Sequence, residues 1–212
     1  GDLVDDRAED VARYADALGG LEKTSRVFVI AGNHDVYAGW AAVERGLNER
    51  SLGTVLVNDA VVVQQGGASL AIVGVGDPAG RARMWAKDDG SDVAPDVARA
   101  MSRVPPGLPV VALAHNPALW PELARAGAAL TLSGHTHWGQ LAFPGAGWSM
   151  ATPFLEYSMG AYQENGAVLY IHPGTGYWGI PFRIGALPEV TILTLRAANE
   201  TAIDVGRARR PV

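Results

Sequence analysis

Four of the chain's five histidines stand just beyond short apolar runs, and this address restricts the fold more than any other feature of the sequence. Arg26-Val27-Phe28-Val29-Ile30 feeds Gly32-Asn33-His34-Asp35, and Pro109 to Leu113 delivers Ala114-His115-Asn116-Pro117. Ala128-Ala129-Leu130-Thr131-Leu132 delivers Gly134-His135-Thr136-His137. Short apolar runs bounded by Gly, Pro and Asn read as buried strands. In α/β folds the loops beyond such strand ends present the polar, chemically active side chains. Taken alone, Gly-His-Thr-His is equally compatible with a turn carrying two solvent-facing imidazoles. Histidines placed as core fillers or surface residues, however, have no reason to share one address.

Around these runs helix and strand signals alternate. Ala8, Val11, Ala12, Ala15 and Leu18 share a helical face, and Gly19-Gly20 is expected to end that helix. A second helix is expected from Gly39 to about Glu49, with Trp40, Val43 and Leu47 on one face. Strands are expected at Thr54 to Val57, Ala60 to Gln64 and Ser69 to Val75, the last two joined by a hairpin turn at Gln65-Gly66-Gly67. Arg81 to Asp92 reads as a polar loop or short helix. A helix over Asp96 to Arg103 is stopped by Pro105-Pro106-Gly107, and another follows Pro117, with Pro121 in its first turn and Gly127 as its cap. Gln163-Glu164-Asn165-Gly166 marks a hairpin turn ahead of a strand at Ala167 to His172, and Glu189 to Leu195 reads as a further strand. Interleaved βα units and hairpins predict an α/β fold: two packed mixed β-sheets flanked by helices. At 212 residues without a linker the chain reads as one domain ending in a polar tail over 197–212.

Composition narrows the chemistry. A net charge of −5 argues against a general binder of nucleic-acid backbones, and the one basic cluster is Arg207, Arg209 and Arg210 in the tail. With no cysteine in the sequence, any metal must be held by nitrogen and oxygen. No run of eighteen apolar residues suited to crossing a bilayer exists. Strands ending side by side would gather Asp2, Asn33, His34, His115, His135 and His137 into a coordination set for borderline divalent ions. A carboxylate can bridge two such ions about 3.5–4 Å apart. His172 lacks a comparable setting and reads as structural.

Gly1-Asp2, Gly32-Asn33-His34-Asp35, His115 and Gly134-His135-Thr136-His137, in that order, closely resemble the motifs of the calcineurin-like metallophosphoesterases. Leu113-Ala114-His115-Asn116-Pro117, Ser133 to Gln140, Gly174-Thr175-Gly176, Pro181-Phe182-Arg183 and Pro188-Glu189-Val190 resemble the bacterial membrane-associated branch. That branch includes UDP-2,3-diacylglucosamine pyrophosphatase-like enzymes. The resemblance implies an αββα sandwich and a dinuclear centre of manganese, iron or zinc, whose bridging hydroxide hydrolyses a phosphoester. It implies that Asp2 bridges the two ions, that Asn33, His115 and His135 complete one site, and that His137 belongs to the other. It makes His34 the general acid or phosphate-orienting group and Asp35 the partner that fixes its ring. Asp35 also suits a cap for the following helix. Trp138, where the branch usually has Gly, would narrow the mouth of the site, and Arg183 is a candidate substrate contact.

The family's Asp-x-His motif and its strand do not precede Gly1-Asp2. The resemblance therefore implies an N-terminally incomplete chain lacking the first strands, with one ion held more firmly than the other. Localisation, cytoplasmic or membrane-associated, would rest on the preceding segment. The expected partner is a phosphoester substrate, and nucleic acid is not expected. Trp138 to Tyr162, aromatic-rich with Glu156 as its only charged residue, would form a groove for a lipid-linked phosphate, a foot on a membrane surface, or a cap on the core. Two rival readings stand beside this one. A nucleotide or nucleic-acid phosphodiesterase would need phosphate-pairing cations, for which Arg81, Arg83 and Arg183 are candidates. A non-catalytic interaction module of the same fold, like the retromer subunit that resembles this family, would be favoured by replaced ligands.

Overall fold

The computed structural model describes residues 1–82 and 89–196. The tail expected over 197–212, with Arg207, Arg209 and Arg210, lies outside them, as does Arg83. A 3₁₀ turn at Ala8–Tyr14 runs into α1 (Ala15–Glu22), which passes through Gly19-Gly20 rather than stopping there. None of its residues is fully buried, so the glycines are tolerated in packing and reduce only helix propensity, by roughly 1 kcal/mol each. β1 (Phe28–Val29) leads into α2 (Asn33–Glu49) and pairs in parallel with β2 (Thr54–Val55) as a small sheet of its own.

α2 begins at Asn33, six residues before the start expected from the sequence. Gly32 is extended, and Asp35, in the first turn, accepts its N–H at 2.9 Å, which starts the helix there. Gly39 (φ 103, ψ 94) then kinks the helix instead of opening it. Val36, Trp40, Val43 and Leu47 fall on one stripe and are buried with Val4 and Val11. Burying each large aliphatic side chain contributes roughly 1.5–3 kcal/mol.

The larger sheet takes β3 (Asp59–Gln65), β4 (Ala68–Gly74), β5 (Val110–Leu113) and β6 (Leu130–Ser133). A separate hairpin, β7 (Ala142–Phe143) with β8 (Trp148–Ser149), interrupts it before β9 (Gly160–Glu164) and β10 (Ala167–Ile171) return. The order across the sheet is β3-β4-β5-β6-β10-β9. Its inner neighbours, β4 with β5, β5 with β6 and β6 with β10, are parallel, and the edge strands β3 and β9 are antiparallel. Both edge hairpins turn through paired positive φ angles, Gly66-Gly67 and Asn165-Gly166, the two-residue turn that matches strand twist.

α3 (Val97–Met101) and α4 (Trp120–Arg125) cover this sheet, burying Val97, Ala100 and Leu123 against Ala71, Val73, Val110 and Ala112. Glu189 to Leu195, expected as a strand, forms none. Tyr170 donates to Glu189 Oε1 at 2.5 Å, and the Thr191 hydroxyl bonds the same oxygen, so the segment is pinned by side chains. The mixed α/β architecture is the one expected, and beside the six-stranded sheet the described residues form two sheets of two strands each.

Candidate functional site

β5 and β6 lie side by side and end together, with Ala114 N–H bonding Leu132 O and Gly134 N–H bonding His115 O at 3.1 Å each. That register delivers His115 and His135 to one place. From the opposite side the first turn of α2 presents Asn33, and Asp2 arrives over Gly32. A Cβ on Gly32 would stand 2.2 Å from Asp2 Oδ1, so only glycine lets the two backbones approach this closely.

The four side chains meet. His115 Nε2 lies 3.0 Å from Asp2 Oδ2 and 3.2 Å from Asn33 Oδ1, and His135 Nδ1 lies 2.8 Å from the same Asn33 oxygen. Ligand atoms of Asp2, His115 and His135 all fall within 4.8 Å of one another, the span of a single metal ion's coordination shell. Burial opposes the charge of Asp2, but the His115 ring and the N–H of His34, 2.9 Å from Asp2 Oδ1, outweigh it and hold the carboxyl well below its usual range. Burial, reinforced by the charge of His115, lowers His135 to about 4, so its imidazole is neutral at pH 7 and offers a lone pair.

His137 stands apart. Arg183 Nη2 donates to its Nδ1 at 3.0 Å, and burial together with this guanidinium lowers the His137 pKa. Guanidinium is donor-only, so Nδ1 must be the unprotonated nitrogen and the ring proton sits on Nε2. Among the described residues His137 joins no cluster of three or more ligands. Arg183 also donates to the carbonyls of Gly176, Pro173 and Ala186, which makes it a tie for its own loop.

The expected His34–Asp35 pairing is corrected by the structure. The Asp35 carboxylate, 1% exposed, accepts three backbone N–H bonds, from Asp2, Val4 and Gly32, at 2.8, 3.0 and 2.9 Å. Burial raises its pKa against the pull of those donors. The group against His34 is Asp5, whose Oδ1 lies 2.7 Å from Nδ1. Asp5 was missed because it sits in an exposed acidic run that carries no motif. Tyr37, edge-on to the His34 ring at 5.6 Å, stands one helical turn further on in α2, whose start the sequence did not reveal.

Trp138 does not narrow the mouth of the site. Left-handed φ angles at His135 (68°), His137 (49°), Trp138 (50°) and Gln140 (60°) turn the Trp138 ring inward, where it is buried with Ala142, Ala186 and Met159. Such backbone strain is held by surrounding packing and concentrates at functional sites. The aromatic stretch is divided: Tyr157 and Tyr162 pack edge-on in a chain with Trp120, whereas Phe143, Met150 and Phe154 are exposed. A cavity of about 640 Å³ opens beside the donors, with Asp2, Asn33, His34, His135 and His137 among the residues that line it.

A sequence model described as calcineurin-like phosphoesterase matches residues 1–139. An uncharacterized metallophosphoesterase of Helicobacter pylori (strain J99) is 35% identical over 203 residues, covering 94% of this chain and 50% of that protein. A transmembrane protein with metallophosphoesterase domain from Bos taurus is 30% identical over 211 residues, covering 93% and 45%. Phosphodiesterase YaeI of Escherichia coli is 31% identical over 194 residues, covering 90% and 66%. The chain spans about half the length of the Helicobacter and bovine proteins. Among the described residues no helix is long and apolar enough to cross a membrane. The matched segment holds Asp2, Asn33, His34, His115, His135 and His137 together with the strands that deliver them, and on that ground the chain belongs to the calcineurin-like phosphoesterase family.

Proposed function

We propose that this chain, as one domain, is a metal-dependent hydrolase of a phosphodiester or pyrophosphate bond. The observation that carries the proposal is the convergence of Asp2, Asn33, His115 and His135 beside a cavity that Asp2, Asn33, His34 and His135 line. Two imidazole nitrogens, one amide oxygen and one carboxylate oxygen form a set that manganese, iron and zinc all accept. An ion bound there would supply Lewis-acid polarisation of the phosphoryl group and a water of lowered pKa.

The chain's own residues do the rest. Asp2, kept ionised by His115 and the His34 N–H, contributes the negative charge of the set. Asn33 presents its oxygen from the first turn of α2, where the helix fixes its position. With Nδ1 engaged by Asp5, His34 is left to hand a proton from Nε2 to the departing oxygen. Asp2 and His137 would help hold a second ion, which would extend the proposal to a dinuclear centre. It requires His137 to bind through Nε2 with Arg183 released from Nδ1. The name phosphodiesterase carried by the E. coli relative supports the diester.

The test is His34→Ala in the full-length protein. Its rate on esters with poor leaving groups is expected to fall by about 10²–10⁴, with bound metal unchanged in elemental analysis. A parallel loss of metal, or equal loss on good and poor leaving groups, would remove His34 from the acid's role.

A further inference from the structure

In the role proposed above His34 gives its proton to the departing oxygen, so the groups packed around its ring are the ones a leaving group meets. Tyr37 and Trp178 stand edge-on to that ring, with centroids 5.6 and 6.3 Å away, and both line the cavity. Trp178 is 61% exposed, so most of its indole is uncovered. Asp5 Oδ1 lies 2.7 Å from Nδ1 of the same ring, and with 79% of the side chain exposed the rest of the carboxylate is open to a further partner.

Trp178 is also fixed in place. Gln140, itself only 7% exposed, accepts the Trp178 N–H at 2.5 Å and donates to the Trp178 carbonyl at 2.8 Å. Preorganisation of this kind reduces the entropy that binding would otherwise lose. The charge at this corner has one sign. No lysine or arginine is among the described residues that line the cavity. Arg183, which touches His137, is committed to that ring and to the carbonyls of Pro173, Gly176 and Ala186. Aromatic faces carry the negative end of a quadrupole and attract cations, quaternary ammonium groups among them. A leaving phosphate would meet no side chain of opposite charge here, and a neutral leaving group would make no use of the open carboxylate.

Resting on the phosphoester reading above, we infer that Tyr37, Trp178 and Asp5 form a subsite for an ammonium group on the leaving alcohol, so that the substrate is a phosphodiester of an amino alcohol. A cation held over one such ring gains about twofold to thirtyfold in binding, the more as water is excluded.

The experiment compares two alcohols of one shape, choline and its uncharged isostere 3,3-dimethylbutanol. Their methylphosphonate monoesters are bound to the manganese-loaded full-length protein by calorimetry, and their methyl phosphate diesters are followed by the alcohol released. The choline probes are expected to bind at least about fivefold more tightly and to be cleaved with choline departing. Trp178→Leu and Asp5→Asn, both at exposed positions, are each expected to reduce the preference in binding severalfold, a readout that proton transfer does not enter. Equal binding of the two phosphonates, or tighter binding of the neutral one, overturns the subsite, as does a preference undiminished in both variants. Release of methanol in place of choline puts the ammonium on the retained side and overturns its assignment to His34. Cleavage of both diesters at equal kcat/KM overturns the subsite and leaves the hydrolase reading standing. A choline preference in binding without cleavage of either diester does the reverse. A last arm separates two sources of the same chemistry: choline released from glycerophosphocholine in solution assigns a soluble diester, and release confined to phosphatidylcholine vesicles assigns a lipid headgroup, both in support of the subsite.

Discussion

Asp35→Ala separates a positioning carboxylate from a catalytic one. In the structure its two oxygens accept N–H bonds from Asp2, Val4 and Gly32, two of them at fully buried positions. Alanine would leave all three donors without a partner. A buried donor left unsatisfied costs about 1–3 kcal/mol, so the substitution is expected to cost about 3–6 kcal/mol in all. A domain of ordinary stability holds about 5–15 kcal/mol, so this is a large fraction of the whole. Asn should lie between, at about 2–3 kcal/mol, because Asp2 and Gly32 both aim at Oδ2, and wherever the NH₂ is placed one donor faces another. With a slope of about 1–3 kcal/mol/M in urea, the Ala variant should unfold at least about 1 M earlier. An urea midpoint within the equivalent of about 1 kcal/mol of wild type, accompanied by lost turnover, would refute the reasoning and return Asp35 to the chemistry.

Three further outcomes follow from the same geometry. Asp5→Asn keeps the fold, since Asp5 is 79% exposed, and lowers turnover of poor leaving groups by about tenfold, part of the effect of His34 itself; an unchanged rate would show that Asp5 does not position the ring. Manganese at a hundred times its dissociation constant should add about 2.7 kcal/mol, raising the melting temperature by about 5–10 °C. The shift should vanish in His135→Ala, and its survival there would place the ion elsewhere. Gly76→Ala builds a Cβ 2.0 Å from Val93 O and should destabilise by about 1–3 kcal/mol in chemical denaturation; a neutral result would mean that the crossing chain yields.

What the sequence made legible was local. Runs such as Val61 to Val63 and Val110 to Leu113 announced their strands through side-chain shape, and Gly66-Gly67 and Asn165-Gly166 announced their turns through tolerance of positive φ. Asp2, Asn33, His115 and His135 were readable as one set because each follows a recognisable strand or glycine. The start of α2 was hidden because Gly32-Asn33 has loop composition, and the carboxylate that starts the helix acts through the backbone. Glu189 to Leu195 has strand composition but is pinned through the side chains of Tyr170, Glu189 and Thr191, contacts that composition does not report. The roles of Asp5, Gln140 and Arg183 depend on contacts spanning 29, 38 and 46 residues, and no periodicity reports those.

The four donors are divided between two separately packed halves of the molecule. Asp2 and Asn33 belong to the chain around Val4, Ala31 and Val36, whereas His115 and His135 extend from strands whose side chains pack with Val97 and Leu123. Without an ion the seam between these donors is joined by the hydrogen bonds of His115 and His135 alone. Opening of either half at this end of the seam would part those bonds. A metal drawing on both sides would act as a rivet, making two opening events one. Amide exchange in α2 and in β5 would then slow in step as the ion is added. The same four atoms that prepare a phosphoester for attack would also set how much of the molecule must come apart at once.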